Sequence, residues 1–288
     1  MTADRITDIL QQAARLGTDP AGEKYRYLLL KDTVILAGEL GLTRRELEIA
    51  ALKAGIVPER YQRNIGTIGM AGQVKLLEAK VGLVGAGGLG GFAVELLARC
   101  GVGSLVIIDG DSFTDSNLNR QLYALESELS AKKAVQAARR VGEINGAVEV
   151  TAHQCFGDAG NLPSLLQGCD LVLDCLDNLQ ARFALEQACQ QLKIPLVHGA
   201  IAGFMGQVAV IRPGKPLLAE IYGRQQNLQS DSRGVETHLG NPPFAPALVA
   251  AWQTGEAVKL LAGLGSSPDG VLLFIDIFSG RTTRIKLP

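Results

Sequence analysis

Paired cysteines at metal-binding spacing are absent from this chain of 288 residues, and so is an even cysteine set. Cys100, Cys155, Cys169, Cys175 and Cys189 contain no Cys-x-x-Cys pair, which supports neither a disulfide framework nor a zinc knuckle and leaves them as reduced core residues. Histidine is scarcer still. His153, His198 and His238 give no basis for a Ser/His/Asp triad or for a metal centre built on histidine. Charge of one sign is also missing: 28 basic against 29 acidic side chains leave a formal charge of −1, so nothing draws the chain to nucleic acid or to an anionic membrane, and any phosphate site must be local. The N-terminus, Met-Thr-Ala-Asp-Arg, lacks the basic-then-apolar layout of a signal peptide. Residues 81 to 108 carry only Glu95 and Arg99 as charges, yet glycines near both ends divide that stretch into strand, helix and strand, which a spanning helix does not require. These absences predict a cytoplasmic protein with no membrane partner and no nucleic-acid partner.

With 47% hydrophobic and 20% charged residues, the chain can bury one large core plus an extension. Residues 1–57 read as a helical N-terminal extension: Ile6 to Leu16 carries apolar residues at helical spacing, and Thr43-Arg-Arg-Glu46 is a capping box. Pro58 opens the main domain, 58–288, with a polar, basic stretch from Glu59 to Asn64 and a short helix at Gln73 to Ala79. Strands are expected at 80–84, 104–108, 148–152, 170–174, 195–201, 206–211 and 271–276, with helices near 88–100, 130–144, 179–192 and 246–262. This alternation predicts an α/β fold, a Rossmann-like and mainly parallel sheet with helices on both faces. Residues 212–246, with five prolines, break it and form a long connection of the kind that is usually functional.

The candidate chemistry follows the first strand. Gly85-Ala-Gly87-Gly88-Leu-Gly90 is a turn on which backbone N–H groups and a helix N-terminus can approach phosphates, and Asp109 closes the next strand, where an acid can accept both ribose hydroxyls. A plain tight turn and a solvated acid are the simpler readings of each alone, and Asp111 is open between the two. Ser116-Asn117-Leu118-Asn119-Arg120-Gln121 places a cation and amides beside a polyphosphate, where a dehydrogenase needs neither. Arg120 and Lys133 could meet the charge that develops when pyrophosphate leaves, Lys133 with help from the helix that starts beside it, although Lys132 is an alternative. Asp177 follows the strand Asp170 to Cys175; it either binds Mg²⁺ or, with Asn178, caps the next helix.

In this order and spacing the motifs resemble the MoeB, ThiF and HesA family of adenylyltransferases, bacterial relatives of ubiquitin-activating enzymes. The resemblance covers roughly residues 59 to 288 and rests on Arg60-Tyr-Gln-Arg63, the glycine turn, Asp109-x-Asp111, Ser116 to Gln121, Lys133 and Asp174-Cys-Leu-Asp177-Asn178. It implies ATP and Mg²⁺ as cofactors and, as partner, a ubiquitin-like sulfur-carrier protein ending in Gly-Gly, whose terminal carboxylate becomes an acyl-adenylate as pyrophosphate leaves. By the same resemblance Gly85, Gly87, Gly88 and Gly90 cradle the nucleotide. Asp109 holds ribose with Asp111 nearby, Ser116 and Asn117 lie beside the nucleotide, Arg120 and Lys133 contact phosphates, Asp177 serves Mg²⁺, and Arg63 reaches into the neighbouring site of a homodimer. Two features of many relatives are missing, the zinc-binding Cys-x-x-Cys pairs and a cysteine in the crossover loop, so no zinc is expected and a thioester step on this chain loses its support. Competing readings are activation of another carboxylate or carbonyl, in a peptide or a tRNA base, a non-catalytic partner subunit, and a nicotinamide dehydrogenase, which would leave Arg120 and Lys133 without a role.

Overall fold

Two sheets organise the chain. The computed structural model describes residues 3–223, 236–267 and 269–287. The N-terminal part runs α1 (Ala3–Ala13), β1 (Arg15–Thr18), β2 (Lys24–Leu28), α2 (Leu30–Leu40), α3 (Arg44–Lys53) and β3 (Ile56–Pro58). The expected helices are present, and Thr43 caps α3 with both bonds of the capping box formed. The extension is nevertheless not helical alone, because its three strands form a small sheet of order β1-β2-β3. Leu16, read as the end of the first helix, lies instead on β1 and is 74% exposed. Leu10, Leu28, Leu36, Leu47 and Ile56 close a core of their own beneath this sheet.

The main part continues with α4 (Gln62–Glu78), β4 (Lys80–Val84), α5 (Gly88–Cys100), β5 (Ser104–Ile108), α6 (Lys133–Ile144), β6 (Glu149–His153), α7 (Leu162–Leu165), β7 (Leu171–Asp174) and α8 (Leu179–Leu192). Then come β8 (Leu196–Ala202), β9 (Met205–Ile211), α9 (Leu218–Tyr222), α10 (Glu236–Leu239), α11 (Phe244–Ala262), β10 (Val271–Asp276) and β11 (Arg281–Lys286). The helix expected at 73–79 is the second half of α4, whose backbone breaks at Gly69 (φ 73°). The helix expected from Ser130 starts only at Lys133, since Ser130 sits at φ 71°. Two short helices, α9 and α10, occupy the connection read as lacking elements, and its residues 224–235 lie outside the described residues.

The eight strands are ordered β11-β10-β9-β8-β7-β4-β5-β6, with β6, β5, β4, β7 and β8 parallel and β9, β10 and β11 added antiparallel. Alternation along each strand feeds two cores. Val81, Leu83, Leu105, Ile107, Leu171 and Leu173 pack under α5, α6 and α11, while Val84, Val106, Ile108 and Val172 face α7 and α8. Strand order reverses between β4 and β7, so the crevice beyond their C-terminal ends is the place such a sheet offers a ligand.

The N-terminal unit docks at the opposite, N-terminal ends of β5 and β6. Arg45 donates to the Gly103 carbonyl at 2.9 Å, just before β5, and pairs with Glu149 at the start of β6. Tyr61 is fully buried there: its hydroxyl donates to Glu48 at 3.0 Å and accepts from Asn145 at 2.9 Å. Among the described residues no helix is long and apolar enough to cross a membrane.

Candidate active site

Backbone packing explains the first and last glycines of the turn. Gly85 has φ 95°, and a Cβ on it would stand 2.5 Å from the Cys175 carbonyl oxygen; a Cβ on Gly90 would stand 1.9 Å from the Gly85 carbonyl oxygen. The turn after β4 is thus wedged against the end of β7, and α5 can approach β4 only because Gly90 is bare. Gly87 is the N-cap of α5 and supplies no side chain to its first-turn N–H groups. Beside it lies Gln121, buried, with its Oε1 unpartnered.

Asp109 fastens this turn to the neighbouring loop. One carboxylate oxygen accepts from the Ala86 N–H at 2.6 Å and the other from the Asp111 N–H at 2.8 Å. Burial raises the Asp109 carboxyl above its ordinary value, and the two amide bonds only partly counter this. Lys133 is buried, and its Nζ bonds Asp111 Oδ2 at 3.0 Å. Lys132 is exposed at the start of α6, which decides between the two for the position beside Asp111.

The Ser116 to Gln121 loop folds over the turn. Asn117 is largely used internally, since its Oδ1 accepts from the Thr114 N–H at 3.1 Å, while Ser116 stays exposed. The Arg120 stem lies against Gly88, and its guanidinium donates to the Ser116 carbonyl at 3.0 Å and to Asn119 Oδ1 at 2.8 Å. Among the described residues it pairs with no carboxylate, so a full cation stands at the turn held only by neutral oxygens.

Asp177 is exposed just beyond β7, and among the described residues no hydrogen bond or ion pair uses its carboxylate. The capping alternative falls to its neighbour: Asn178 Oδ1 accepts from the Ala181 N–H at 2.8 Å and starts α8. No group of three His, Cys, Asp or Glu able to hold a metal occurs among the described residues, which is compatible with Mg²⁺ because that ion takes only one or two carboxylates. Arg63 is not brought to this site. It is exposed at the start of α4, and the nearby Tyr61 packs on Gly101 at the far end of α5, about 18 Å of helix from the glycine turn.

The ThiF family model matches residues 61–288. The chain belongs to the ThiF family. It is similar to the SAMP-activating enzyme E1 of Haloferax volcanii, 37% identical over 220 residues that cover 76% of this chain and 81% of the relative. It is also similar to the molybdopterin-synthase adenylyltransferase of Haemophilus influenzae, 34% identical over 238 residues, 80% of this chain and 94% of the relative. The chain spans about half the length of relatives named adenylyltransferase and sulfurtransferase. Among solved structures, PaaA shares the fold with a TM-score of 0.67 at 15% identity over 96% of this chain and 99% of that one, so the likeness takes in the N-terminal unit. The protein is an adenylyltransferase of the ThiF family.

Sequence reasoning missed the buried polar cluster under the site of this ThiF-family protein. Asp174 and His198 are completely buried, with His198 Nδ1 2.6 Å from Asp174 Oδ2, and Arg182 approaches the same oxygen at 3.4 Å. Burial opposes ionisation of Asp174, but the Arg182 charge and the His198 hydrogen bond outweigh it and hold the carboxyl below its usual range. Burial lowers the His198 pKa below its ordinary value, which favours the neutral ring, and because an ionised Asp174 can only accept, the ring proton is assigned to Nδ1. The signal was available in Asp174 itself, an acid ending an apolar strand, which folding must pair or leave at great cost.

Replacing Arg120 or Lys133 by Ala is expected to lower adenylation about 10²- to 10³-fold, the usual loss when one preorganised charge-stabilising group is removed. Single-turnover rates and denaturation midpoints measured on the same preparations check this. Normal rates for either variant would remove that residue from the chemistry.

Proposed function

We propose that this adenylyltransferase uses ATP and Mg²⁺ to activate the C-terminal glycine carboxylate of a ubiquitin-like sulfur-carrier protein in the cytosol. The observation that carries the reading is the meeting, at one turn, of an uncapped helix start and an arginine with no carboxylate partner among the described residues. Uncapped N–H groups and an unpaired cation both want phosphate oxygens, and the unpartnered Gln121 amide oxygen at the same turn fits a polar ligand there. The names of two relatives, an activating enzyme E1 and a molybdopterin-synthase adenylyltransferase, support a protein carboxylate as the group activated.

The reaction balances as an in-line substitution at phosphorus. A carboxylate oxygen of the carrier bonds to the α-phosphorus, the bond to the bridging oxygen breaks, and that oxygen leaves with the electron pair on pyrophosphate. The bare turn at Gly85, Gly87, Gly88 and Gly90 and the start of α5 receive the phosphates. Asp109 accepts from the ribose hydroxyls with lone pairs that its two amide bonds leave over. Asp111 sets the Lys133 ammonium, and Lys133 and Arg120 meet the charge that grows on the leaving group. Ser116 and Asn117 shape the wall beside the nucleotide. Asp177 would hold Mg²⁺, which when bound neutralises phosphate charge.

The product is an acyl-adenylate that is released or handed on. Cys175 is the cysteine nearest the turn, but burial first, and the Asp174 charge second, raise its thiol well above the ordinary range, which disfavours a thiolate. Residues 212–246 contain no cysteine.

Purified protein should exchange labelled pyrophosphate into ATP, dependent on Mg²⁺ and on a carrier ending in Gly-Gly. Undiminished exchange with a carrier lacking both glycines would sink the carrier assignment.

Arg63, remote from its own turn, is proposed to serve the partner's site in a homodimer. Mixing Arg63→Ala with Lys133→Ala chains should restore activity in exchanged dimers, since one site regains both groups. An inactive mixture with demonstrated subunit exchange would end the idea.

A further inference from the structure

The strand end that carries Asp177 is held with unusual completeness. The Leu176 N–H donates to Asp174 Oδ1 at 3.0 Å, and Arg182 donates through one nitrogen to the Leu176 carbonyl oxygen. The peptide plane that follows Leu176 contains the nitrogen and Cα of Asp177, so a guanidinium on that carbonyl fixes the direction in which Asp177 leaves the strand. Arg182 donates through its other nitrogen to the Gly199 carbonyl at 2.9 Å on β8. Gln253 of α11 donates to the carbonyls of Asp174 at 2.9 Å and Val197 at 3.1 Å, in a space that Gly199 leaves open: a Cβ there would stand 2.3 Å from Gln253 Cδ.

A second line runs away from the loop. His198 donates from Nδ1 to Asp174, and its Nε2 accepts from the Tyr222 hydroxyl at 3.1 Å; that hydroxyl in turn accepts from Gln207 of β9. Tyr222 ends α9, and α9 is anchored to α8 by Glu186, whose Oε1 accepts from the Leu217 and Leu218 N–H groups at 2.7 and 3.0 Å. The Arg182 guanidinium also sits 6.0 Å from the centre of the Tyr222 ring. Charge and hydrogen bonds therefore run unbroken from the segment that opens the long crossover to the peptide that carries Asp177.

We propose that Arg182, His198 and Tyr222 are positioning residues for Mg²⁺, which set Asp177 through the Leu176–Asp177 peptide without touching substrate. The proposal rests on the reading of Asp177 as the magnesium carboxylate. Pairing backbone groups serves stability in any buried network, but here both the N–H and the C=O that are held belong to the residue before that carboxylate, so the same bonds also set its direction. Outer-shell partners that orient a ligating carboxylate affect metal use directly, and that effect separates the two roles.

The test is the Mg²⁺ concentration that half-activates pyrophosphate exchange, measured with full-length Arg182→Lys, Tyr222→Phe and Asp177→Asn proteins, together with thermal unfolding. Arg182→Lys keeps the charge but loses the fork that spans Leu176, Gly199 and Asp174; it should raise the Mg²⁺ requirement about 10- to 100-fold, with most of kcat recovered at saturating Mg²⁺. Tyr222→Phe deletes one hydroxyl and remains informative if Arg182→Lys does not fold; it should raise the requirement about two- to tenfold. In an Asp177→Asn background neither change should add to the shift that Asp177→Asn alone produces.

Lower unfolding temperatures with an unchanged Mg²⁺ requirement, while Asp177→Asn raises it, would overturn the positioning role and leave the function standing. No shift from Asp177→Asn itself would overturn the metal reading of Asp177 and this proposal together.

Discussion

The contact on which the site depends is between two backbones. The Gly85 Cα faces the Cys175 carbonyl so closely that a methyl group would be forced to 2.5 Å, and this brings the end of β4 and the end of β7 side by side at the reversal of strand order. Nothing larger than glycine permits it. Because β4 leads into the uncapped start of α5 and β7 leads into Asp177, the contact joins an uncapped helix end to an exposed carboxylate. Gly90 extends the same constraint by seating α5 on the turn, and Asp109 ties the turn to the loop that carries Asp111. The site is an outcome of strand order and missing Cβ atoms before any catalytic side chain is counted.

Environment then assigns opposite tasks to acids only three residues apart. Asp174 is sealed in the core, paired with Arg182 and bonded to a neutral His198, and breaking such a buried pair costs about 3–5 kcal/mol. Asp177 is exposed, with its carboxylate left for a ligand. The cations divide in the same way. Lys133 is buried against Asp111, whereas Arg120 lies on the turn among neutral oxygens. A polyphosphate entering here meets one cation already oriented by an acid and another with its charge uncompensated, an arrangement suited to charge that appears only during reaction.

Much of this was legible in the residues. The strands over 80–84 and 104–108 and the helices over 88–100 and 179–192 lie where apolar periodicity placed them, because each buries a face in a large core, and the strand over 271–276 buries Leu272 and Ile275. Three of the strands that escaped lack such a face: β11, Arg-Thr-Thr-Arg-Ile-Lys, is exposed along its whole length, and β1 and β2 are short and largely exposed around Arg15, Lys24 and Arg26; the fourth, β3, is buried but only three residues long, too short to show a period. For the candidate site, local spacing alone singles out the glycine turn, Asp109, Arg120, Lys133 and Asp177. The partners of Asp174 were not, since His198 and Arg182 reach it from β8 and α8 through tertiary packing. The burial of Lys133 escaped for the same reason, as Asp111 lies 22 residues away.

The central claim, that the reversal between β4 and β7 is a nucleotide–magnesium site, is tested most directly by a crystal structure with Mg²⁺ and a non-hydrolysable ATP analogue. Phosphates are expected against the start of α5 within reach of Arg120 and Lys133, with ribose on Asp109 and the metal on Asp177. A nucleotide bound elsewhere, or phosphates that leave Arg120 and Lys133 untouched, would contradict it.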